Sequence, residues 1–197
     1  QARDPACSKS SELPGWGGSG VQTEPEREIP LSSKRPKISV VISTFNWPTA
    51  LCLSLDAYSR STWKDFEVIV ADDGSGEETA EGVRAFSKRS PFPVSHVRQP
   101  HEGFRLGQVR NLAARAASGD IFFFSDGDCL PFPGALEAHA ESCVPGLAVA
   151  GSRSLLGPEE TRRLLEGPAA PAGLLEAVWR RDASRLALRY WRSLFES

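Results

Sequence analysis

The sequence has no methionine and opens on Gln1, so we expect it to be a piece of a longer or processed product. It also lacks any apolar run near the ~20 residues that a membrane-spanning helix requires. We expect no secretory signal ahead of the polar tail that begins the sequence. Its four cysteines, Cys7, Cys52, Cys129 and Cys143, form no CxxC pair and no metal-ligand spacing. That pattern offers no zinc-site spacing and suits a reducing, cytoplasmic setting. Charge of one sign is missing too. Lys and Arg number 23 against 25 Asp and Glu, a net charge of −2, so no overall field points to nucleic acid.

With 197 residues and 40% hydrophobic side chains, the chain is long enough for one domain with a real core. Residues 1–36 are rich in Ser, Gly, Pro and charge without an apolar period, and read as a disordered tail or linker. Within them Gly15–Gly20 matches GxGxxG, but no strand precedes it and no helix can follow, so the match is accidental.

From Lys37 onward, strands and helices are predicted to alternate. Strands are expected at 38–43, 66–71, 93–99 and 121–124, and helices at 48–60, 77–88 and 107–118. In the last of these Val109, Leu112, Ala113 and Ala116 share the apolar face. Alternation of this kind implies an α/β fold with a doubly wound, mainly parallel sheet, whose ligands bind outside the carboxyl ends of the strands. A further strand is expected at 146–151. A short helical piece over 157–173 and a helix over about 174–195 would form a helical C-terminal segment. Arg181, Arg185 and Arg189 line one side of that last helix, a stripe that suits peripheral membrane or partner contact if it is not simply solvated.

Three strand ends carry polar clusters: Thr44 with Asn46, Asp72 with Asp73, and Asp126 with Asp128. The third follows Ile121-Phe122-Phe123-Phe124, read as a strand buried on both faces. Alternate residues of an extended segment point the same way, so Asp126 and Asp128 can converge, and Gly127 leaves room for a ligand between them. Two carboxylates there are costly unless a cation neutralises them, and oxygen ligands favour Mg2+ or Mn2+. The competing reading is a solvated turn. Such an ion commonly serves a diphosphate. The start of the third helix, with Arg105 and Arg110, offers backbone N–H groups and guanidinium forks for one. Asp72 or Asp73 can accept a hydrogen bond from a base or ribose. His96 and His139 read as incidental.

Together TFN (44–46), VIVADDGS (68–75) and VRQPHEGFRLGQVRNLAARAASGDIFFFSDGDCLP (97–131) resemble the family 2 glycosyltransferases of GT-A fold, in particular their chondroitin-polymerase-like branch. The resemblance covers residues 37–155 and makes them a nucleotide-sugar-binding domain. It implies a metal-dependent, inverting transfer from a nucleotide sugar, UDP-linked by expectation, to a glycan or lipid-linked acceptor. Asp126–Asp128 would be the DxD element, with Asp128 on the metal and Asp126 near ribose and metal. Asp72 and Asp73 would contact the nucleoside, Thr44 and Asn46 would line its pocket, and Arg110 and Asn111 would sit by the nucleotide. The family's acceptor segment and acidic base motif have no counterpart up to Ser197. Residues 156–197 are therefore read as the start of an incomplete acceptor region. Glu159, Glu160 and Asp182 are candidates for the base only by being acidic. A nucleotide-sugar-binding module without transfer is the alternative from another class. A nucleotidyltransferase is the third, disfavoured because TFNWPTAL is no Gly/Arg/Lys-rich loop.

Overall fold

The computed structural model describes residues 35–144, 148–166, 173, 176–178, 180 and 181, all within one unit of the chain, 32–197. The accidental GxGxxG, Cys7, Asp182, Arg185 and Arg189 lie outside them. The first strand, β1 (Ile38–Thr44), is buried along its whole length. Its β-branched run ISVVIST suits a strand with neighbours on both edges and both faces. It pairs in parallel with β2 (Phe66–Asp72) on one side and β4 (Ile121–Asp126) on the other, and β2 pairs in parallel with β3 (Val94–Arg98). The sheet order is β3-β2-β1-β4.

Helix α1 (Pro48–Tyr58) opens on a proline, whose missing N–H costs nothing in the first turn. Its Leu51, Leu55 and Tyr58 are all buried, as their spacing predicted. They pack with Val83 and Phe86 of α2 (Glu77–Ser87) over Ile38, Val40, Ile42, Val68 and Val70. The other face is covered by α3 (Leu106–Ala116), where Val109 and Ala113 meet Val41, Ile69 and Ala71. Leu112 is only partly buried and Ala116 is exposed, so the predicted apolar face of α3 is narrower than expected. Two shorter helices follow, α4 (Ala135–Ser142) and α5 (Pro158–Glu166). The first was not predicted; the second lies inside the predicted helical piece.

Two expectations are corrected. No strand forms among the described residues 148–151 of the predicted 146–151 strand. Nor is β4 buried on both faces: Ile121 and Phe123 are partly buried, but Phe122 and Phe124 stack on each other with about half their surface exposed. The cause is topological. β4 is an edge strand, and α3 lies over β1, β2 and β3.

At the amino ends of the strands the Glu67 carboxylate accepts hydrogen bonds from Ser39 Oγ and from the Ser118 N–H and hydroxyl, and pairs with Lys37 at 3.4 Å. Burial alone would raise its carboxyl, but those donors hold it below the usual range. Gly119 makes this knot possible, since a Cβ there would stand 2.6 Å from Ser39 Oγ and 2.7 Å from Ser39 N. Gly119→Ala is therefore expected to cost about 2 kcal/mol, as overpacking does, read as a lower urea midpoint at unchanged slope.

Candidate functional site

Chain order and sheet order part company between β1 and β4. The chain winds outward through β2 and β3, then returns to the far side of β1, leaving a crevice outside the carboxyl ends where the winding reverses. Into that crevice run the last residues of β1 and β4, which are paired Ser43 to Asp126. Arg110, projecting from α3, donates to Asp126 Oδ1 at 2.7 Å and to Ser43 Oγ at 3.0 Å. Ser43 Oγ in turn donates to Asp126 Oδ1 at 3.0 Å. One carboxylate oxygen of Asp126 is thus fixed by a guanidinium and a hydroxyl.

Asp128 follows on the exposed side of the turn. One ligand atom each of Asp126, Asp128 and Cys129 lies within 4.8 Å of the others. Two carboxylates and a sulfur at this spacing fit a divalent cation, with Asp128 the more open oxygen donor. Gly127 serves packing rather than ligand access. A Cβ there would meet Ser43 O at 3.1 Å and Thr44 Oγ1 at 3.2 Å, so its absence lets the end of β4 close against β1. Cys129, Cys52 and Cys143 are free thiols. The first is pushed up from the ordinary thiol range by burial, with the nearby Asp128 and Asp126 adding to the effect.

A second cluster sits at the ends of β2 and β3. Asp72 is fully buried. Its Oδ1 accepts the Ser75 N–H at 2.7 Å and its Oδ2 lies 3.0 Å from His96 Nε2. Burial works to raise this carboxyl, yet the hydrogen bonds from His96 and Ser75 hold it below the usual carboxylate range. Asp73 accepts from the Gln99 amide on Oδ1 and from the Arg105 N–H on Oδ2, the latter at 2.9 Å. All four carboxylate oxygens are therefore engaged inside the loops. Asn46, at φ +48, gives its N–H to Ser75 Oγ and accepts the Gly76 N–H on Oδ1. Phe45 stacks on His101 with ring centroids 4.4 Å apart.

The predicted residues therefore fall into two groups. Arg110, Asp126 and Asp128 come together at the β1/β4 crevice. Asp72, Asp73 and Asn46 tie down the loops beside it, Thr44 is buried at the end of β1, and Asn111 is exposed on α3. Arg105 is turned to its own loop, with Nη1 2.8 Å from Glu102 and Nη2 donating to Pro100 O at 2.7 Å. His96 is not incidental, since it holds Asp72. Neither is His139, whose ring meets Phe123 edge-on at 4.6 Å. The sequence reading also missed Ser43, although its place at the last inward turn of a β-branched run before a polar cluster was a usable signal.

Beyond β4, residues 148–156 run opposite the strand across a groove of about 880 Å³ that includes Trp47, Phe124 and Leu156 in its lining. Two acidic residues that follow this segment, Glu159 and Glu160, are paired. Glu159 binds Arg162 and Arg163, and Glu160 binds Arg181 at 2.8 Å. Among the described residues no helix is long and apolar enough to cross a membrane.

The family model described as Glycosyl transferase family 2 matches residues 39–164. The chain is 38% identical over 148 residues to a chondroitin synthase of Escherichia coli, covering 74% of this chain and 20% of that protein. It is 37% identical over 115 residues to validoxylamine A glucosyltransferase of Streptomyces hygroscopicus subsp. jinggangensis, covering 55% of this chain and 27% of that one. The chain thus spans 20% and 27% of the length of these two curated relatives. Among solved structures, mannosyltransferase PcManGT from Pyrobaculum calidifontis, determined in complex with GDP-Man and Mn2+, matches with a TM-score of 0.52 at 24% identity. That match covers 57% of this chain and 34% of that one, and the shared feature is the GT-A fold.

Proposed function

The chain belongs to glycosyl transferase family 2, and on that premise we propose that it holds the nucleotide-sugar site of a metal-dependent, inverting transferase. The donor is a nucleoside diphosphate sugar, UDP-linked in this reading, and the acceptor is a hydroxyl of a glycan. The observation that carries the proposal is the meeting of Ser43, Arg110, Asp126 and Asp128 in the crevice between β1 and β4. Asp128, with Asp126 beside it, would hold Mn2+ or Mg2+. When bound, the ion supplies Lewis-acid stabilisation to the departing nucleoside diphosphate. Arg110 both fixes Asp126 and carries a permanent positive charge to the edge of the diphosphate position. Asp72 and Asp73 act by holding the Ser75 and Arg105 loops that wall the nucleoside side. In the transfer the acceptor oxygen forms a bond to the anomeric carbon as the bond to the diphosphate oxygen breaks, and a carboxylate base takes the acceptor proton.

A second reading, a donor-binding portion that does not transfer by itself, is favoured by the ion pairs of Glu159 and Glu160. The two candidate bases among the described residues are committed to arginines. Calorimetric titration of UDP into the chain tests the site. Binding is expected with Mn2+ and is expected to weaken at least tenfold in EDTA and in Asp128→Ala. A folded chain that takes up no UDP with Mn2+ would overturn the assignment. Release of free sugar or glycan product from a UDP-sugar would decide between transfer and binding alone.

A further inference from the structure

Residues 148–156 form a strap held at two points. At Gly151 the strap lies on the His139 ring, where a Cβ would stand 3.2 Å from Cε1. That ring is itself fixed by Phe123 and by the Ala135 carbonyl, 2.9 Å from Nδ1. At Leu155 the carbonyl accepts from Arg181 Nη2 at 3.3 Å, and Arg181 is anchored to Glu160. Midway between the two points Arg153 reaches back over the aspartate turn. Its Nη1 stands 3.9 Å from Asp126 Oδ2, the oxygen that Arg110 leaves open.

The charge count at this crevice is instructive. Asp126 and Asp128 together balance one divalent cation, so a diphosphate bound to that cation brings negative charge that the pair of carboxylates cannot offset. Cations beyond the metal are needed, and Arg105, the residue expected to help, is committed to Glu102 and Pro100. Arg110 and Arg153 are the two arginines that flank Asp126 among the described residues. Arg153 is 71% exposed on its side chain, and a guanidinium fork matches two phosphate oxygens at once. Among the described residues, the 3.9 Å ion pair with Asp126 is the contact that opposes its turning to a ligand.

We propose that Arg153 is a diphosphate-binding residue, delivered by the strap so that it and Arg110 grip the nucleoside diphosphate from opposite sides of Asp126. The inference rests on the donor-site reading above and adds the group that distinguishes a diphosphate from a monophosphate. In the free chain Asp126 holds both guanidiniums in place, and ligand phosphate oxygens replace Asp126 Oδ2 as the partner of Arg153.

The test is titration calorimetry of UDP and of UMP, each with Mn2+, into the chain and into Arg153→Ala and Arg153→Lys. Arg153→Ala is expected to weaken UDP about tenfold while UMP changes by less than twofold. Arg153→Lys keeps the charge without the fork and is expected to lose about threefold for UDP. The melting temperature, read beside each titration, is expected to be unchanged because the side chain is exposed. Equal UDP affinity for wild type and Arg153→Ala would overturn the role of Arg153 and leave the donor site standing. Equal losses for UDP and UMP would also overturn it, assigning Arg153 to the nucleoside side or to strap folding. Absence of UDP binding by the wild-type chain would instead sink the donor site itself.

Discussion

Gly74→Ala is expected to lower the unfolding free energy by about 4 kcal/mol, the largest loss for any single methyl group added to this site. Two independent terms add. Gly74 sits at φ +89, where a side chain costs roughly 1–2 kcal/mol. A Cβ there would also stand 2.5 Å from His101 N, 2.6 Å from its Cβ and 2.7 Å from its Cα. These are mainly backbone atoms, which cannot rotate away, so overpacking adds about 1–3 kcal/mol. The relief available is displacement of the 99–105 loop, which would give up the Gln99 and Arg105 hydrogen bonds to Asp73 and the stack of Phe45 on His101. A thermal melt should fall by roughly 10 °C. A melt within 2 °C of wild type would mean that the two loops are not locked together as described.

Asp72→Ala comes next, at about 3 kcal/mol. The carboxylate has no exposed surface, and its removal strands the buried Ser75 N–H together with His96. Its pH signature separates it from a simple cavity. The carboxyl is held below its usual range in the folded chain, so the folded state gives up its proton more readily than the unfolded one. Such a group contributes stability that is present above the unfolded value of about 4. That contribution is lost as pH falls from there through the lower folded value. Asp72→Asn keeps an acceptor for Ser75 but cannot titrate, so its stability should vary less than wild type over that acid range. Urea midpoints at stepped pH would measure both effects, and parallel curves for wild type and Asp72→Asn would refute the assignment.

Much of this fold was legible because local and long-range demands agree along β1, β2 and α1. ISVVIST and FEVIVAD are β-branched runs that stop on polar residues, and Pro48 marks the start of a helix whose Leu51, Leu55 and Tyr58 repeat at helical spacing. Where the outcome depended on what lay beside a segment in space, the sequence was silent or misleading. IFFFSD reads as a buried strand, yet the last place in the sheet order leaves Phe122 and Phe124 on an open face. The short α4 buries little more than Leu136, too weak a period to see. Asp126, Asp128 and Arg110 were legible as a site because strand ends in alternating α/β chains converge. Arg105 and Arg153 were not, since a guanidinium at the end of a long side chain goes where tertiary contacts send it. One turned to its own loop, and the other arrived by way of a strap that carries no motif.

The two rims of the sheet differ in how they meet the outside. β3 presents Ser95 and Arg98 to solvent, polar groups that discourage a stray strand from zipping on. β4 presents two stacked phenylalanines, and among the described residues its outer hydrogen-bonding groups have no strand beside them. Because β4 ends in Asp126, any polypeptide laid along that rim finishes within reach of the aspartate turn. A segment laid along that rim would shield it from self-adhesion and stand beside the aspartate turn at the same time.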